Sequence, residues 1–303
     1  MAETSWIAVD WGTSNLRAWV FDRDGQEIGR FSSDRGMSVL KPDEFEPTLL
    51  ELAGDYLPPD QATPVIACGM VGANLGWTPA PYAAVPCPPP GVDRAARPAP
   101  NDPRLDVRIL PGVSQADPAD VMRGEETQIA GFLSQQPDFE GVICLPGTHT
   151  KWARIAGGEI TGFATFMSGE IFALLSEKSV LRHTVSGMEW DDDSFATAVT
   201  DAMDAPEALT ARLFCLRAKD LLRDTMAGEA RARLSGLLIG AELLGARPYW
   251  SGQKVVILGE TRLGLLYQAA LATQGVIAPV GDVTEMTKAG LSLAYNAWKG
   301  GHE

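Results

Sequence analysis

The chain has 303 residues, of which 45% are hydrophobic and 21% charged, and its formal net charge is −14. This composition is typical of a folded globular protein with enough length for two domains. The acidic balance, without a local cluster of lysine and arginine, argues against nucleic acid and anionic membranes as partners.

The N-terminal residues have neither the basic nor the apolar region of a signal peptide, and no segment holds about 18 uncharged apolar residues in a row. We therefore expect a cytoplasmic protein without a membrane span. The four cysteines are far apart and form no CxxC pair. Because zinc sites need clustered ligands, we expect reduced cysteines in or near the core and no metal site built on them.

The first half of the chain predicts three short strands, then a helix, then a buried strand. Asp24-Gly25 is typical of a hairpin turn, and Pro42 with early acidic residues is typical of a helix start. The proline-rich stretch 77–111 predicts a long loop that could contain one extended pair. The predicted strands are 6–10, 16–22, 27–33, 64–70 and 107–110; a helix is expected at about 42–57, and 119–136 is expected to be a loop entering a helix.

The second half opens with the same order of elements: a strand, a hairpin rich in glycine and threonine, and two more strands. We expect Asp282 to cap the final helix and the acidic run Asp191–Asp193 to lie in a solvated loop. The predicted strands are 141–145, 151–156, 159–166, 254–260 and 275–280, and the predicted helices are 169–181, 205–222, 227–245, 263–273 and 283–298.

The two hairpins carry the first functional signal. Residues 10–15, DWGTSN, could form either an anion-binding turn with Asp10 beside a cation or an ordinary polar turn. The turn PGTHT at 146–150 is a second one of the same kind. Since the chain has neither a P-loop nor a Rossmann glycine motif, two such turns favour a nucleotide with a divalent cation, bound in another way.

Four groups of residues give a more specific signal: AVDWGTSNLRAW; ACGMVGANLGW with PYAAVP; VMRGEETQIAG; and LPGTHTKW with FMSGE. Together they resemble the 2-dehydro-3-deoxygalactonokinase family, within the actin, sugar-kinase and chaperone ATPase superfamily. The resemblance runs from about residue 6 to 170 and continues more weakly through VILGE to the C-terminus.

The resemblance implies an α/β fold of two ribonuclease-H-like domains, 1–136 and 137–303, each with a mixed five-stranded sheet flanked by helices. It implies that ATP binds in the interdomain cleft and that the final helix packs back toward the first domain. The implied reaction is ATP-dependent phosphorylation of the terminal hydroxyl of 2-dehydro-3-deoxy-D-galactonate, in galactonate catabolism.

The resemblance also implies roles for the hairpin residues. Asp10 would hold Mg²⁺ and support catalysis, and Gly259 would bring backbone close to the adenosine. Lys151 could neutralise transferred charge or be a solvated strand residue. The expected phosphate contacts are Gly12, Thr13, Ser14 and Asn15 in the first hairpin and Gly147, Thr148 and Thr150 in the second.

A kinase of this type needs a carboxylate to accept the proton of the attacking hydroxyl. Glu125 matches the position of the superfamily's base, with Glu126 as the alternative, although either could simply cap a helix. Arg123 could bind the sugar-acid carboxylate or form a structural ion pair. The expected substrate contacts are Gly69, Met70, Gly72, Asn74, Trp77 and Glu126, and Ser168 and Glu170 either face the site or cap the next helix.

Three other functions remain open at this stage. A kinase of a neighbouring 2-keto-3-deoxy sugar acid, such as the gluconate epimer, would share every phosphate-binding residue. A phosphatase or acyl-phosphate enzyme of the same fold would keep both hairpins, and a sugar-binding regulator would keep only the sugar loop. A homodimer is compatible with the sequence, which does not fix the oligomeric state.

Overall fold

The computed structural model describes residues 3–187, 189–222 and 228–301. Contacts divide the chain into two units. Unit 1 comprises Met1–Phe139, Ala156–Gly162 and Val283–Glu303, and unit 2 comprises Glu140–Ile155 and Phe163–Asp282. The sequence-based division after residue 136 therefore differs from these units chiefly at the 156–162 segment and at the final helix. None of the helices described is both long and apolar enough to span a bilayer.

Strands and helices occur in consecutive groups along both halves of the chain. In chain order, the strands are β1 Thr4–Trp11, β2 Leu16–Asp22, β3 Glu27–Ser33, β4 Thr63–Gly69, β5 Tyr82–Ala84, β6 Leu105–Ile109, β7 Gly112–Ala116, β8 Ala119–Met122, β9 Gly141–Leu145, β10 Thr150–Ala156, β11 Glu159–Phe166, β12 Val255–Gly259 and β13 Val280–Asp282. The helices are α1 Phe45–Ala53, α2 Glu125–Gln135, α3 Ser168–Lys178, α4 Asp192–Asp204, α5 Leu209–Leu222, α6 Glu229–Gly245, α7 Arg247–Trp250, α8 Thr261–Ala272 and α9 Val283–Gly300.

Two five-stranded sheets have the same internal order. The first runs β3-β2-β1-β4-β6 and the second β11-β10-β9-β12-β13. In each sheet an antiparallel pair adjoins a parallel pair. The antiparallel pairs are β1–β2 and β9–β10, and the parallel pairs are β1–β4 and β9–β12. These mixed sheets flanked by helices confirm the predicted fold class. They also confirm that the similar order of elements in the two halves of the sequence reflects a repeated topology.

Unit 1 buries both faces of its sheet. One face packs on α1 through a cluster that includes Trp11 and Phe45, whose ring centroids are 4.7 Å apart. The other face packs on α9, where Trp6 stacks on Tyr295 at 4.5 Å. Burying aromatic side chains of this size makes the largest contribution to holding the final helix in unit 1.

Helices α2 and α9 of unit 1 touch along their backbones. A Cβ added at Gly131 would lie 1.9 Å from the Met286 carbonyl oxygen, and one at Gly290 would lie 2.0 Å from the Thr127 carbonyl oxygen. Only glycine allows so close an approach. The C-terminal helix thereby fixes the helix that begins at Glu125.

Unit 2 packs α4 closely against α6 in the same way. A Cβ at Gly236 or Gly240 of α6 would lie 2.4 Å from a carbonyl oxygen of Phe195 or Val199 on α4. The remaining core of unit 2 lies between the sheet and helices α6 and α8, with Trp152, Tyr267 and Ile257 fully or almost fully buried.

Several sequence-based assignments need correction. The proline-rich stretch and the residues that follow it, up to Met122, contain a further sheet of three short strands, β5-β7-β8. The prolines lie outside these strands. The acidic run does not form a solvated loop, because Asp191 caps α4 through a bond from Ser194 N and Asp192 and Asp193 occupy its first turn. The last strand is Val280–Asp282 instead of 275–280, and residue 227, the predicted start of the helix found at Glu229–Gly245, lies outside the described residues.

Candidate active site

The first hairpin presents short polar residues to solvent and keeps its carboxylate buried. Thr13, Ser14 and Asn15 are exposed, whereas Asp10, near the end of β1, is buried. Gly12 N donates to Asn15 O at 2.8 Å and closes the turn. The backbone of the following segment also supports it, since Ser38 N donates to Thr13 O at 2.9 Å. The hairpin is therefore a rigid, outward-facing loop, as anion binding by backbone N–H groups requires.

Asp10 already has an ionic partner that the sequence analysis did not identify. Arg17 lies directly opposite Asp10 in the β1–β2 register, and its Nη2 donates to Asp10 Oδ2. Arg17 Nη1 donates to Thr284 Oγ1 of α9 at 3.1 Å. The other carboxylate oxygen, Oδ1, accepts only a long contact from Cys68 Sγ at 3.8 Å among the hydrogen bonds of the described residues. Pairing of the two strands in register could have indicated this ion pair.

Two glycines bring three predicted segments of unit 1 together. Gly69, at the end of β4, has φ +90°, and a Cβ there would lie 2.6 Å from Trp11 O and 3.5 Å from Asp10 Oδ1. Gly124, with φ +111°, would place a Cβ 3.3 Å from Gly69 Cα. The carboxylate of the first hairpin, the loop after β4 and the start of α2 thus converge at one place.

The two glutamates at the start of α2 have different surroundings. Glu126 is 1% exposed, and both of its carboxylate oxygens accept from Gly124 N at 2.8 Å. Burial and the nearby negative charge of Glu125 raise the pKa of Glu126 to about 8. Glu125 is half-buried, and its Oε2 accepts from Arg123 N at 3.1 Å. Both carboxylates therefore contact backbone N–H groups at the helix start, and Glu125 is the more accessible one.

Arg123 is packed into the fold of unit 1. Its guanidinium lies over the Tyr82 ring, 4.2 Å from the centroid, and Nη2 donates to Ala80 O at 2.8 Å. Nε and Nη1 are buried without a hydrogen-bond partner among the described residues. A Cβ at Gly72 would lie 2.9 Å from Nη1, so this glycine makes space for the guanidinium. Two buried donors without acceptors are uncommon in native proteins and are consistent with an acceptor supplied by a ligand.

The other predicted sugar-loop residues vary in exposure. Gly72 is buried, Met70 and Trp77 are half-buried, and Asn74 is exposed. Asn74 and Trp77 therefore remain available at the surface of the loop, while Gly72 acts through its small size.

The second loop, residues 146–149 between β9 and β10, is held by the start of α3. A Cβ at Gly169 would lie 2.2 Å from Gly147 O, and Glu170 N donates to Thr148 O at 2.9 Å. His149 Nε2 lies 2.6 Å from Glu170 Oε2. Glu170 thus clamps the second loop, and its backbone and side chain both take part.

The two residues that follow this loop lie in the interior of unit 2. Thr150 is 0% exposed, and its Oγ1 lies 2.7 Å from the Tyr267 hydroxyl oxygen. Lys151 is 5% exposed, so it is not a solvated strand residue. The Thr150 hydroxyl, which was expected to contact phosphate, bonds to an interior side chain because Thr150 is the first residue of a buried strand. Gly147 and Thr148 are the residues of the second loop that reach a cavity.

This cavity of unit 2 has a volume of about 350 Å³ and mainly apolar walls, with the second loop and the start of α3 on its border. Gly259 lies beside the second loop, since a Cβ there would be 2.8 Å from Pro146 Cγ. Two arginines that the sequence analysis missed line the cavity. Arg231 stacks on Phe172 at 5.1 Å and Arg262 on Trp190 at 5.7 Å.

The arginine pair gives the cavity a positive character. Burial and the positive charge of Arg262 lower the pKa of Arg231, and neither guanidinium has an ion-pair partner among the described residues. Arg231 Nη1 instead donates to Val185 O at 3.1 Å. Glu260 also lines the cavity but forms no ion pair with either arginine among the described residues. Two neighbouring cations in a half-enclosed cavity with one carboxylate favour an anionic ligand. No sequence signal distinguishes these arginines from surface residues, because they are brought together only by α6 and α8.

Comparison with known proteins gives consistent results. The model of the 2-keto-3-deoxy-galactonokinase family matches residues 10–294. A Rhizobium meliloti (strain 1021) protein, provisionally named 2-dehydro-3-deoxygalactonokinase DgoK1, is 40% identical over 96% of this chain and 97% of its own. The Escherichia coli (strain K12) 2-dehydro-3-deoxygalactonokinase is 34% identical over 91% and 93%. A Sinorhizobium meliloti crystal structure, also provisionally assigned as a 2-dehydro-3-deoxygalactonokinase, has a TM-score of 0.89 and 38% identity over 96% of both chains.

Proposed function

Because the chain belongs to the 2-keto-3-deoxy-galactonokinase family, we propose that it uses ATP to phosphorylate the 6-hydroxyl of 2-dehydro-3-deoxy-D-galactonate. The product is 2-dehydro-3-deoxy-6-phosphogalactonate, and we place the reaction in galactonate catabolism. The convergence of Asp10, Gly69 and Gly124 in unit 1 supports the proposal most directly. It puts the carboxylate of an anion-binding hairpin beside a carboxylate-bearing helix start.

Glu125 is the base in this proposal. The attacking hydroxyl must lose its proton to a carboxylate within hydrogen-bond reach as the phosphoryl group is transferred. Glu125 is half-buried and sits at the first position of α2, at the positive end of the helix dipole. Glu126 is the alternative, although its two oxygens are both engaged by Gly124 N.

The residues around Asp10 fit a divalent cation. Asp10 Oδ1 has only the long Cys68 contact among the described residues, and the missing side chain of Gly69 leaves space beside that oxygen. Mg²⁺ is commonly held by one or two carboxylates together with substrate phosphates, so a single carboxylate suffices. When bound, the cation would neutralise charge on the phosphates during transfer. Arg17 meanwhile fixes the orientation of the Asp10 carboxylate through Oδ2.

In unit 1, residues 12–15 are proposed to bind phosphate through backbone N–H groups and short side chains. In unit 2, Gly147 and Thr148 are proposed to bind phosphate in the same way. The adenosine would occupy the cavity of unit 2, whose apolar walls suit a purine and whose arginines, Arg231 and Arg262, suit negative charge. Gly259 borders the second loop, and Lys151 is buried just after it. The main work of such an enzyme is positioning and charge stabilisation, which these rigid loops can supply.

The sugar acid is proposed to bind the loop that follows β4. Arg123 Nε and Nη1 are donors without acceptors among the described residues, so a carboxylate of the substrate would satisfy them after a small displacement of Gly72. Asn74, Met70 and Trp77 would contact the ketone and hydroxyl groups. Selection between epimers depends on the geometry of a few hydrogen bonds, which makes the gluconate epimer the competing substrate to test.

The deciding experiment measures ADP release with Mg·ATP and a panel of 2-keto-3-deoxy sugar acids. We expect turnover with the galactonate form, loss of at least about a hundredfold in kcat for Glu125→Gln, and a higher Mg²⁺ requirement for Asp10→Asn. The control is Glu207→Gln, which alters an exposed carboxylate of unit 2. Turnover confined to the gluconate epimer would correct the substrate. ATP binding without turnover of any sugar acid would contradict the kinase function and favour a sugar-binding regulator.

A further inference from the structure

Helix α6 carries one carboxylate in an otherwise apolar run, SGLLIGAELLG, and the proposed reaction does not use it. Glu242 is 3% exposed. Trp152 Nε1 donates to its Oε1 at 2.9 Å, and the Tyr267 hydroxyl donates to its Oε2 at 2.8 Å. The Ser168 hydroxyl also bonds to this side chain. A buried carboxylate is costly unless several donors compensate it, and here three do.

The three donors, and Thr150, which bonds to Tyr267, come from the elements that border the second loop. Thr150 and Trp152 lie on β10, directly after the loop, and Ser168 is the first residue of α3, whose next residue packs on the loop backbone. Tyr267 lies on α8 and lines the cavity of unit 2. One carboxylate therefore joins the three elements that together determine where residues 147–149 lie.

The bonds also have a fixed direction. A carboxylate only accepts, so the Tyr267 hydroxyl proton points to Glu242, and the Tyr267 oxygen is left to accept from the Thr150 hydroxyl. Burial raises the pKa of Glu242 to about 7, while its hydrogen-bond donors oppose this shift. At pH 8 the carboxylate form prevails, and the chain of hydrogen bonds runs from Thr150 through Tyr267 to Glu242.

We propose that Glu242 is a positioning residue for the phosphate-binding second loop: by accepting bonds from Trp152, Ser168 and Tyr267, whose oxygen in turn accepts from Thr150, it holds the loop in its nucleotide-binding conformation. The inference rests on the proposed function in that the second loop contacts ATP. Glu242 itself touches neither nucleotide nor sugar acid. Its effect should therefore appear in nucleotide binding and leave sugar-acid binding unaffected.

The test compares Glu242→Gln with a matched buried carboxylate of unit 1. Glu46 is 7% exposed and accepts from Asn101 N, Asn101 Nδ2 and Asp102 N, and none of these partners belongs to either loop. The dissociation constant of Mg·ADP and the KM values for ATP and sugar acid are measured at pH 8, together with the Tm of each variant. The Trp152 N–H can only donate, so in Glu242→Gln the amide oxygen must face Trp152 and the amide NH₂ must donate toward Tyr267. This reverses the direction of the hydrogen bonds from Thr150 through Tyr267.

We expect Glu242→Gln to weaken Mg·ADP binding and raise the KM for ATP about tenfold, with the KM for sugar acid unchanged within about twofold. Glu46→Gln should lower the Tm and leave the nucleotide constants at the wild-type value. If Glu242→Gln lowers the Tm as Glu46→Gln does and leaves Mg·ADP binding unchanged, Glu242 is merely structural and the proposal is wrong.

Tyr267→Phe keeps the test decisive if Glu242→Gln does not fold. It removes the hydroxyl that links Thr150 to Glu242 and leaves the Trp152 and Ser168 bonds to Glu242 in place. We therefore expect about a threefold loss of Mg·ADP affinity. An unchanged affinity would contradict the proposal. Binding is measured without sugar acid, so a wild type that binds Mg·ADP but phosphorylates no sugar acid would overturn the proposed function alone. A wild type that binds no nucleotide would overturn both.

Discussion

Replacing Glu126 by glutamine should remove a loss of stability that the wild type suffers between pH 6 and 8. Burial and the charge of Glu125 raise the pKa of Glu126 from 4.5 to about 8 in the folded protein. Between these two values the folded state binds more protons than the unfolded state, so stability falls as the pH rises. The stabilisation that the raised pKa of Glu126 contributes is fully present below pH 4.5 and is lost by the time the pH passes about 8.

The size of the effect follows from the two pKa values. Their separation corresponds to roughly 5 kcal/mol between the protonation states, of which about 2 kcal/mol falls between pH 6 and 8. Glutamine does not titrate and therefore avoids this loss. For a unit of this size a change of about 2 kcal/mol shifts the Tm by about 4–8 °C.

Differential scanning calorimetry of wild type and Glu126→Gln at pH 6 and pH 8 measures this shift. Glu242, with a pKa of about 7, also titrates in this range, so the relevant quantity is the Tm difference between variant and wild type at each pH. Glu207→Gln, at an exposed site, should show the same difference at both values. A Glu126→Gln difference that is equal at pH 6 and 8 would mean that Glu126 has an ordinary pKa, and the reasoning from burial would be refuted.

Two further predictions concern the site. Gly69→Ala should destabilise unit 1 by more than about 2 kcal/mol in urea unfolding and reduce turnover, because the Cβ would lie 2.6 Å from Trp11 O at a φ of +90°. Gly157→Ala, where φ is +58° and no atom lies within 4 Å, should cost only about 1 kcal/mol. Arg262→Ala should weaken Mg·ATP binding about tenfold in titration calorimetry, while Arg262→Lys retains part of the affinity; equal affinity in Arg262→Ala would contradict an anion site there.

Local sequence patterns predict the sheet strands and both hairpins because those features depend on neighbouring residues. Alternation, a Gly-rich turn and a buried apolar run are sufficient to place β1, β2, β9 and β10. The sheet β5-β7-β8 escapes prediction because its strands have three to five residues and lie within or directly after a proline-rich segment. The predicted loop at the start of α4 is wrong although Asp191, three residues before Ser194, is a good N-cap signal.

The side-chain partners of the site can be predicted only in part. Motifs single out Glu125 and Asp10 as candidates but not Arg17, although strand register alone puts it opposite Asp10. Arg262 and Glu242 depend on how helices of unit 2 pack, which no local pattern encodes. A single glutamate within an apolar helical run is nevertheless a visible signal, since a carboxylate there requires buried donors.

The C-terminal helix shows why long-range packing matters for the chemistry of unit 1. Thr284 at its start accepts a bond from Arg17, which holds Asp10, and Gly290 further along lies against the Thr127 backbone in the first turns of α2. The same helix therefore contacts both the support of the proposed metal ligand and the helix that carries the proposed base. Since one continuous helix makes both contacts, its packing links the positions of Asp10 and the start of α2. A residue far from any motif can thus set catalytic geometry, and sequence motifs alone do not reveal it.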